Sequence, residues 1–193
     1  KTLWQSLQEK GVWRGEIWNR RKDGSLYIEQ LTISGITNAA GERTHYVGIF
    51  SDITQLKSQQ QALEMMAYHD VLTQLPNRVL LTDRFQQATA RCNRTGSLLA
   101  ICFLDLDNFK QVNDTYGHNV GDQLLIQVSA RILSCIREED TASRLGGDEF
   151  AILIGDVNST EDCKDALSRI HSSIAQPYVI EGHEIHITAS SGI

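Results

Sequence analysis

The sequence predicts an α+β chain, on three observations. Residues 12–53 alternate apolar and polar side chains around two glycine turns, the mark of an antiparallel meander. From Thr54 the apolar spacing changes to three and four, the period of a helix. Beyond Asp70, helical stretches alternate with short continuous apolar runs of strand length, the pattern of strands buried under helices.

Val12–Arg20 is the first strand, closed by Lys22-Asp23-Gly24, where glycine supplies the positive φ of a tight turn. Ser25–Ile36 follows, with Leu26 and Ile28 on one face and Tyr27, Leu31 and Ile33 on the other. A turn at Asn38–Gly41 leads into Arg43–Ile53. Three strands without a covering helix are marginal, so the chain is expected to begin inside a domain. Ile53, Leu56, Gln60, Leu63 and Ala67 then mark a helix of only two heptads. It reads either as a dimer-forming seam or as an amphipathic linker packed on its own domain, and its place between two units favours the dimer.

In the second unit Pro76 and Asn77 make a turn and an N-cap. Leu81, Phe85, Ala88 and Cys92 line the helix behind them, which ends near Gly96. Leu98–Leu104 reads as a strand buried on both faces. Leu124, Leu125, Val128, Ile132 and Cys135 mark the next helix, and Phe150–Ile154 the next buried strand. Ser159, with Asp162 three residues on, starts a helix whose face is Cys163, Ala166, Leu167, Ile170 and Ile174. Ile185, Ile187 and Ala189 alternate in a final strand running to Ile193. Ending on a core strand, the chain is expected to be cut at both ends.

The chain has 193 residues, 41% of them hydrophobic and 22% charged, which suits a globular protein. No apolar run is long enough for a membrane span, and the N-terminal KTLWQSLQEK has no apolar core of a signal peptide. Cys92, Cys102, Cys135 and Cys163 form no CxxC, so neither a disulfide nor a zinc framework is expected and a reducing cytoplasm fits best. The net charge of −6 is uneven: residues 1–69 carry eight basic and seven acidic side chains, residues 70–193 ten and seventeen. Such an acidic second part excludes a nucleic-acid groove, which needs a basic face. It still admits a nucleotide held through divalent metal ions.

Asp105-Leu106-Asp107 places two carboxylates just past a buried strand, costly unless solvated or paired with a cation. Phe109 and Lys110 at the fifth and sixth positions rule out a calcium-binding EF-hand loop and leave a Mg²⁺ or Mn²⁺ site. Alone, two aspartates at a strand end are more often a solvated turn. The second element is Arg144-Leu-Gly-Gly-Asp-Glu-Phe150. Gly146 and Gly147 signal a hairpin and let backbone amides approach a phosphate, with Asp148 and Glu149 beside them. Carboxylates and phosphate-binding amides on one hairpin, opposite Asp105, suit nucleotidyl transfer.

Two family resemblances follow from these residues. Trp13-Arg-Gly-Glu16, Arg21-Lys-Asp-Gly24 and Gly48-Ile-Phe-Ser-Asp-Ile-Thr54 resemble the C-terminal half of a PAS sensory domain over residues 1–54, whose ligand is unknown. Residues 55–69 are then a linker signalling helix. Gly146-Gly-Asp-Glu-Phe150 is similar to the signature of the GGDEF family of diguanylate cyclases. Asp70-x-Leu72-Thr73-x-Leu75-Pro-Asn-Arg78, Phe103-Leu-Asp-Leu-Asp-Asn-Phe-Lys110, Asn113-Asp-x-x-Gly117-His118 and Gly121-Asp122 match in order, so the resemblance covers residues 70–193. Gln74 departs from it, where the family usually has Gly, and an effect on a turn rather than on chemistry is expected.

The resemblance implies a nucleotidyl-cyclase-like domain, a central mainly antiparallel sheet flanked by helices, that condenses two GTP to cyclic di-GMP and two pyrophosphates. Asp105, the Leu106 carbonyl and Asp148 would hold Mg²⁺ or Mn²⁺. Asn113 and Asp122 would read guanine, His118 lies in the same nucleotide-binding stretch, and Lys110, Gly146 and Gly147 would meet phosphates. Asp148 or Glu149 would assist deprotonation of the ribose 3′-hydroxyl, Asp148 being favoured. Arg137 and Asp140 resemble the RxxD of an inhibitory product site. One GTP per subunit implies a homodimer with two domains facing each other, joined also through the linker helix. The resemblance further implies a C-terminal helix with basic phosphate contacts that these residues do not include, so weak activity and association are expected of the chain alone. Two alternatives stand: a GTP-binding regulatory module for a downstream EAL phosphodiesterase domain, or a non-enzymatic dimerising sensor. Membrane attachment would have to lie outside this stretch.

Overall fold

Gly24 (φ +90°) and Gly41 (φ +82°) turn the chain back twice in the computed structural model, which describes residues 2–157 and 159–193. The chain divides between Leu63 and Glu64 into two units. The first opens with α1 (Leu3–Lys10), a helix the sequence reading did not anticipate, closed by Gly11 in the left-handed region. Of its side chains only Leu7 is buried, so its apolar periodicity is too short to read. Then come β1 (Val12–Arg20), β2 (Leu26–Thr37) and β3 (Arg43–Asp52), an antiparallel sheet in that order. The register sets Leu31 opposite Phe50 and Ile33 opposite Trp13. β3 is exposed along its whole length. Asp52 accepts hydrogen bonds from the Thr54 backbone amide (3.0 Å) and hydroxyl (2.7 Å), starting α2 (Thr54–Tyr68). This helix buries none of its residues, and Leu56 and Leu63 of the expected seam stay open.

The second unit contains α3 (Arg78–Thr95), β4 (Leu98–Leu106), α4 (Phe109–Tyr116), α5 (His118–Cys135), β5 (Thr141–Gly146), β6 (Glu149–Val157), α6 (Thr160–Ile174), β7 (Tyr178–Ile180), β8 (His183–Ile185) and β9 (Ala189–Gly192). Asn77 caps α3 by accepting from the Val79 and Leu80 amides, and Ser159 with Asp162 forms the capping box of α6. The sheet has the order β5-β6-β4-β9, every neighbour antiparallel. Alternation decides its two faces. Cys102, Leu104, Leu106, Phe150, Ile152 and Ile154 point into the main core with Leu124, Val128 and Ile132 of α5 and Ile170 and Ile174 of α6. Ala151 and Leu153 point the other way, onto Leu81 of α3. The expected central antiparallel sheet flanked by helices is therefore present.

Three details differ from the sequence reading. α4 was not foreseen. β4 is not covered on both faces along its length, because Phe103 is half exposed. The single final strand is instead two pieces: β8 returns along β7 around Glu181 and Gly182, both at positive φ, and only β9 joins the main sheet. Ile185 and Ile187 are both buried, which produced the alternation, but the chain leaves strand geometry at 186–188.

Candidate functional site

The β5–β6 hairpin brings the predicted acids together. Gly146 pairs with Glu149, leaving Gly147 and Asp148 as its tip, with both glycines at positive φ (+145° and +55°). Those angles are open to glycine and costly for other residues. Asp105 lies directly across the ladder from Glu149 on one side and Ser190 on the other. The Leu106 amide donates to the Asp148 carbonyl at 3.4 Å, which folds the tip onto the end of β4. Among the described residues the side chains of Asp105, Asp148 and Glu149 make no hydrogen bond or ion pair. Desolvation raises the Asp105 carboxyl above its ordinary range, and the charges of Asp148, Glu149 and Asp107 push it further.

Asp107 behaves oppositely. It accepts from the hydroxyls of Thr188 (2.5 Å) and Ser190 (2.7 Å), and these bonds hold its carboxyl below the ordinary range. A cavity of about 510 Å³ opens beside Asp105 and Glu149, floored by Phe103 and Leu145 and walled by Ser190–Gly192 and Arg78. The sequence reading assigned no role to Arg78, Phe103 or the β9 serines. They reach the site only through the fold.

Arg144 is a further residue without an assigned role. Its Nε and Nη2 donate to the Gly147 carbonyl at 2.9 and 2.8 Å, and its Nη1 pairs with Asp70 at 2.9 Å. Asp70 also accepts from the Thr73 amide and hydroxyl. Burial would raise the Asp70 carboxyl, but the Thr73 bonds and Arg144 together outweigh it and lower it. Gln74, in the same turn, adopts φ +60°, the left-handed geometry that explains a preference for glycine there. Its departure thus falls on a turn, as expected.

The other predicted residues surround the cluster or stand apart. Asn113 packs its side-chain oxygen onto Gly121, where an added Cβ would lie 1.9 Å away, and so it reaches the start of α5 beside Asp122. Lys110 on α4, and His118 and Asp122 on α5, are exposed. Arg137 and Asp140 line a separate cavity of about 210 Å³ together with Arg169 and Asp156. Asp140 is buried and accepts from the Arg137 amide (3.0 Å) and the Gly155 amide (3.3 Å). His183 and His186, three apart in sequence and not expected to form a site, have separate partners: His183 packs on Tyr116 and His186 bonds Glu184.

Among the described residues no three His, Cys, Asp or Glu side chains form a cluster that could hold a metal by themselves. That fits Mg²⁺, which is commonly held by one or two carboxylates plus water and substrate phosphates rather than by an all-protein cage. The donor set is all oxygen, and its mutual repulsion at Asp105 is of the kind a cation relieves.

A family profile described as "Diguanylate cyclase, GGDEF domain" matches residues 67–193, and a PAS domain profile matches residues 1–55. The bifunctional diguanylate cyclase/cyclic di-GMP phosphodiesterase MucR of Pseudomonas aeruginosa is 46% identical over 140 residues, 72% of this chain and 20% of that protein. The crystal structure of diguanylate cyclase SiaD with its activator SiaC, also from Pseudomonas aeruginosa, matches with a TM-score of 0.62 at 34% identity, covering 72% of this chain and 53% of that one. The coiled coil and GGDEF domain of DgcB from Caulobacter crescentus, in complex with c-di-GMP, matches with a TM-score of 0.64 at 28% identity, covering 72% and 75%. The chain spans 16–32% of the length of the first curated relatives it matches.

Proposed function

The chain belongs to the GGDEF family, with a PAS region before it, and from that membership we propose that it is a diguanylate cyclase controlled by its PAS region. The observation that carries the proposal is the placing of Asp105 opposite Glu149 with Asp148 on the adjoining tip, none of the three carboxylates having a hydrogen-bond or ion-pair partner among the described residues. Residues 1–54 act as part of the sensor, 55–69 as the connecting helix and 70–193 as the synthetic domain. Two such domains face each other, and the 3′-hydroxyl of each GTP attacks the α-phosphorus of the other. Two phosphodiester bonds form, two pyrophosphates leave, and each hydroxyl gives up its proton.

Asp148 takes part in removing that proton, with Glu149 beside it. Asn113 and Asp122 orient the guanine: a carboxylate accepts from the N–H groups on its Watson–Crick edge, a pattern adenine does not offer. The backbone at Gly146 and Gly147 admits the phosphates closely, while Lys110 and His118, exposed on α4 and α5, approach the nucleotide from solvent. Mg²⁺ or Mn²⁺ bound at Asp105, the Leu106 carbonyl and Asp148 would neutralise phosphate charge and lower the hydroxyl pKa. Product cyclic di-GMP binds separately at Arg137 and Asp140. With four free cysteines and GTP as substrate, the cytoplasm is the fitting compartment.

Asp148→Asn tests the reading. It should abolish cyclic di-GMP synthesis from GTP and Mg²⁺ while leaving circular dichroism and melting unchanged, and continued synthesis would refute the assignment. The 38% identity over 141 residues to the cyclic di-GMP phosphodiesterase NbdA of Pseudomonas aeruginosa favours one second reading, a GTP-binding domain that regulates an attached EAL phosphodiesterase. In that case GTP binds without turnover and cyclic di-GMP is degraded by the intact protein.

A further inference from the structure

The two aspartates of Asp105-Leu106-Asp107 look equivalent in sequence, yet the fold separates them. Asp105 makes no side-chain bond among the described residues, whereas both oxygens of Asp107 accept hydroxyls from one short segment. That segment is Thr188 and β9, and the Asp107 amide donates to the Thr188 carbonyl as well, at 2.9 Å. β9 has four residues, three of them exposed, so packing contributes little to holding it. A second tie comes from α6, where His171 Nε2 lies 2.8 Å from the Ser191 hydroxyl. β9 in turn places Ser190 directly opposite Asp105 and supplies the Ser190–Gly192 wall of the cavity.

We propose that Asp107 is a positioning residue: it grips the Thr188 and Ser190 hydroxyls and so holds β9 in register beside Asp105, rather than binding metal itself. The inference rests on the reading of Asp105 as a metal-holding carboxylate. Losing the grip leaves β4 with a loosely paired neighbour at the position where Asp105 must meet its cation. The effect is then a weaker metal site, not an altered chemical step.

The test compares Asp107→Asn, Asp107→Ala and Ser190→Ala in the purified protein. It reads hydrogen exchange of the β9 amides, Mn²⁺ binding, and the Mg²⁺ dependence of synthesis. Asn accepts one hydroxyl through its carbonyl and donates to the other through its amide, so Asp107→Asn should stay close to wild type in all three. Asp107→Ala should speed exchange in β9 and raise the half-saturating metal concentration about tenfold, the usual cost of losing a group that orients metal ligands, with kcat at saturating metal much less affected. Ser190→Ala should shift all three readouts the same way by less, and combined with Asp107→Ala should add little, because the two remove a shared contact. Two results overturn the proposal. One is Asp107→Asn abolishing Mn²⁺ binding to the extent that Asp105→Asn, run alongside, does, with β9 exchange unchanged. The other is Asp107→Ala leaving β9 exchange at the wild-type rate. A wild-type protein that makes no cyclic di-GMP defeats the cyclase reading alone, since exchange and Mn²⁺ binding still judge Asp107.

Discussion

Replacing Arg144 with alanine should damage both stability and synthesis, and the structure gives the sizes. The guanidinium makes two hydrogen bonds to the Gly147 carbonyl and one to Asp70, and the paired side chains are only 10% and 22% exposed. Each bond involving a charged group contributes about 1.5–3 kcal/mol, and truncating one member of a largely buried pair costs about 3–5 kcal/mol. Because Asp70 keeps its Thr73 bonds, the lower end applies, so a loss of about 3 kcal/mol is expected in urea unfolding. The catalytic effect follows from geometry: the Gly147 carbonyl precedes Asp148, and a misplacement of about 1 Å at reacting groups costs about 100-fold in rate. Arg144→Lys keeps the charge but loses the fork, and should fall between. The pH dependence has a defined sign. The Asp70 carboxyl is lowered in the fold, so its contribution is present above the ordinary carboxylate pKa of about 4 and is lost as pH falls through the folded value. The gap between wild type and Arg144→Ala should therefore narrow in acid without closing, because the two bonds to the Gly147 carbonyl do not titrate. Equal unfolding midpoints at neutral pH, or undiminished synthesis, would refute the reasoning.

Other perturbations separate the remaining parts of the site. Gly121→Ala should change the melting temperature little, since the clashing atom is the movable end of Asn113, yet it should raise the KM for GTP and weaken discrimination against ATP. Arg137→Ala should weaken cyclic di-GMP binding at least about tenfold in calorimetry, the loss of one charge-assisted bond. Asp105→Asn should raise the melting temperature of chelator-treated protein at neutral pH while removing the stabilisation that Mg²⁺ confers. The sign follows from a carboxyl raised in the fold: its ionised form is disfavoured there, so the gain over wild type shrinks as pH falls toward about 4.

The features legible in the sequence were those determined locally. Gly24, Gly41 and Gly96 stand at turns or helix ends at positive φ, and Asn77 and Ser159 cap the helices they were read to cap. The Gly146-Gly147 hairpin likewise needs only its own dihedrals. What escaped depends on partners distant in sequence. Arg144 and Asp70 are 74 residues apart, and neither carries a local sign of the pairing. Thr188 and Ser190 meet Asp107 from 81 and 83 residues away, so nothing local distinguished the two aspartates of one motif. α4 was missed although Phe109 and Val112 are spaced by three and both buried, because the rest of that helix is polar and reads as loop. The break after β8 was hidden for the converse reason: Ile185 and Ile187 stay buried through a change of backbone path, and alternation records burial rather than strand continuity.

The charge arrangement explains why this acidic domain can be a nucleotide site at all. Asp107, Asp148 and Glu149 all lie close enough to Asp105 for their charges to act on it, and the arginine closest to them in sequence is engaged elsewhere. Arg144 gives its donors to the Gly147 carbonyl and to Asp70, so it shapes the hairpin without neutralising its acids. Arg78 stands on the cavity wall as a single positive group against two lining carboxylates. A triphosphate approaching such a surface alone meets like charge at short range, where screening by salt is weakest. A divalent cation would reverse the sign of that interaction and relieve the repulsion that raises Asp105. Metal and nucleotide would then reinforce each other: the carboxylates alone would hold the cation weakly, and the phosphates would strengthen that hold by adding oxygen donors.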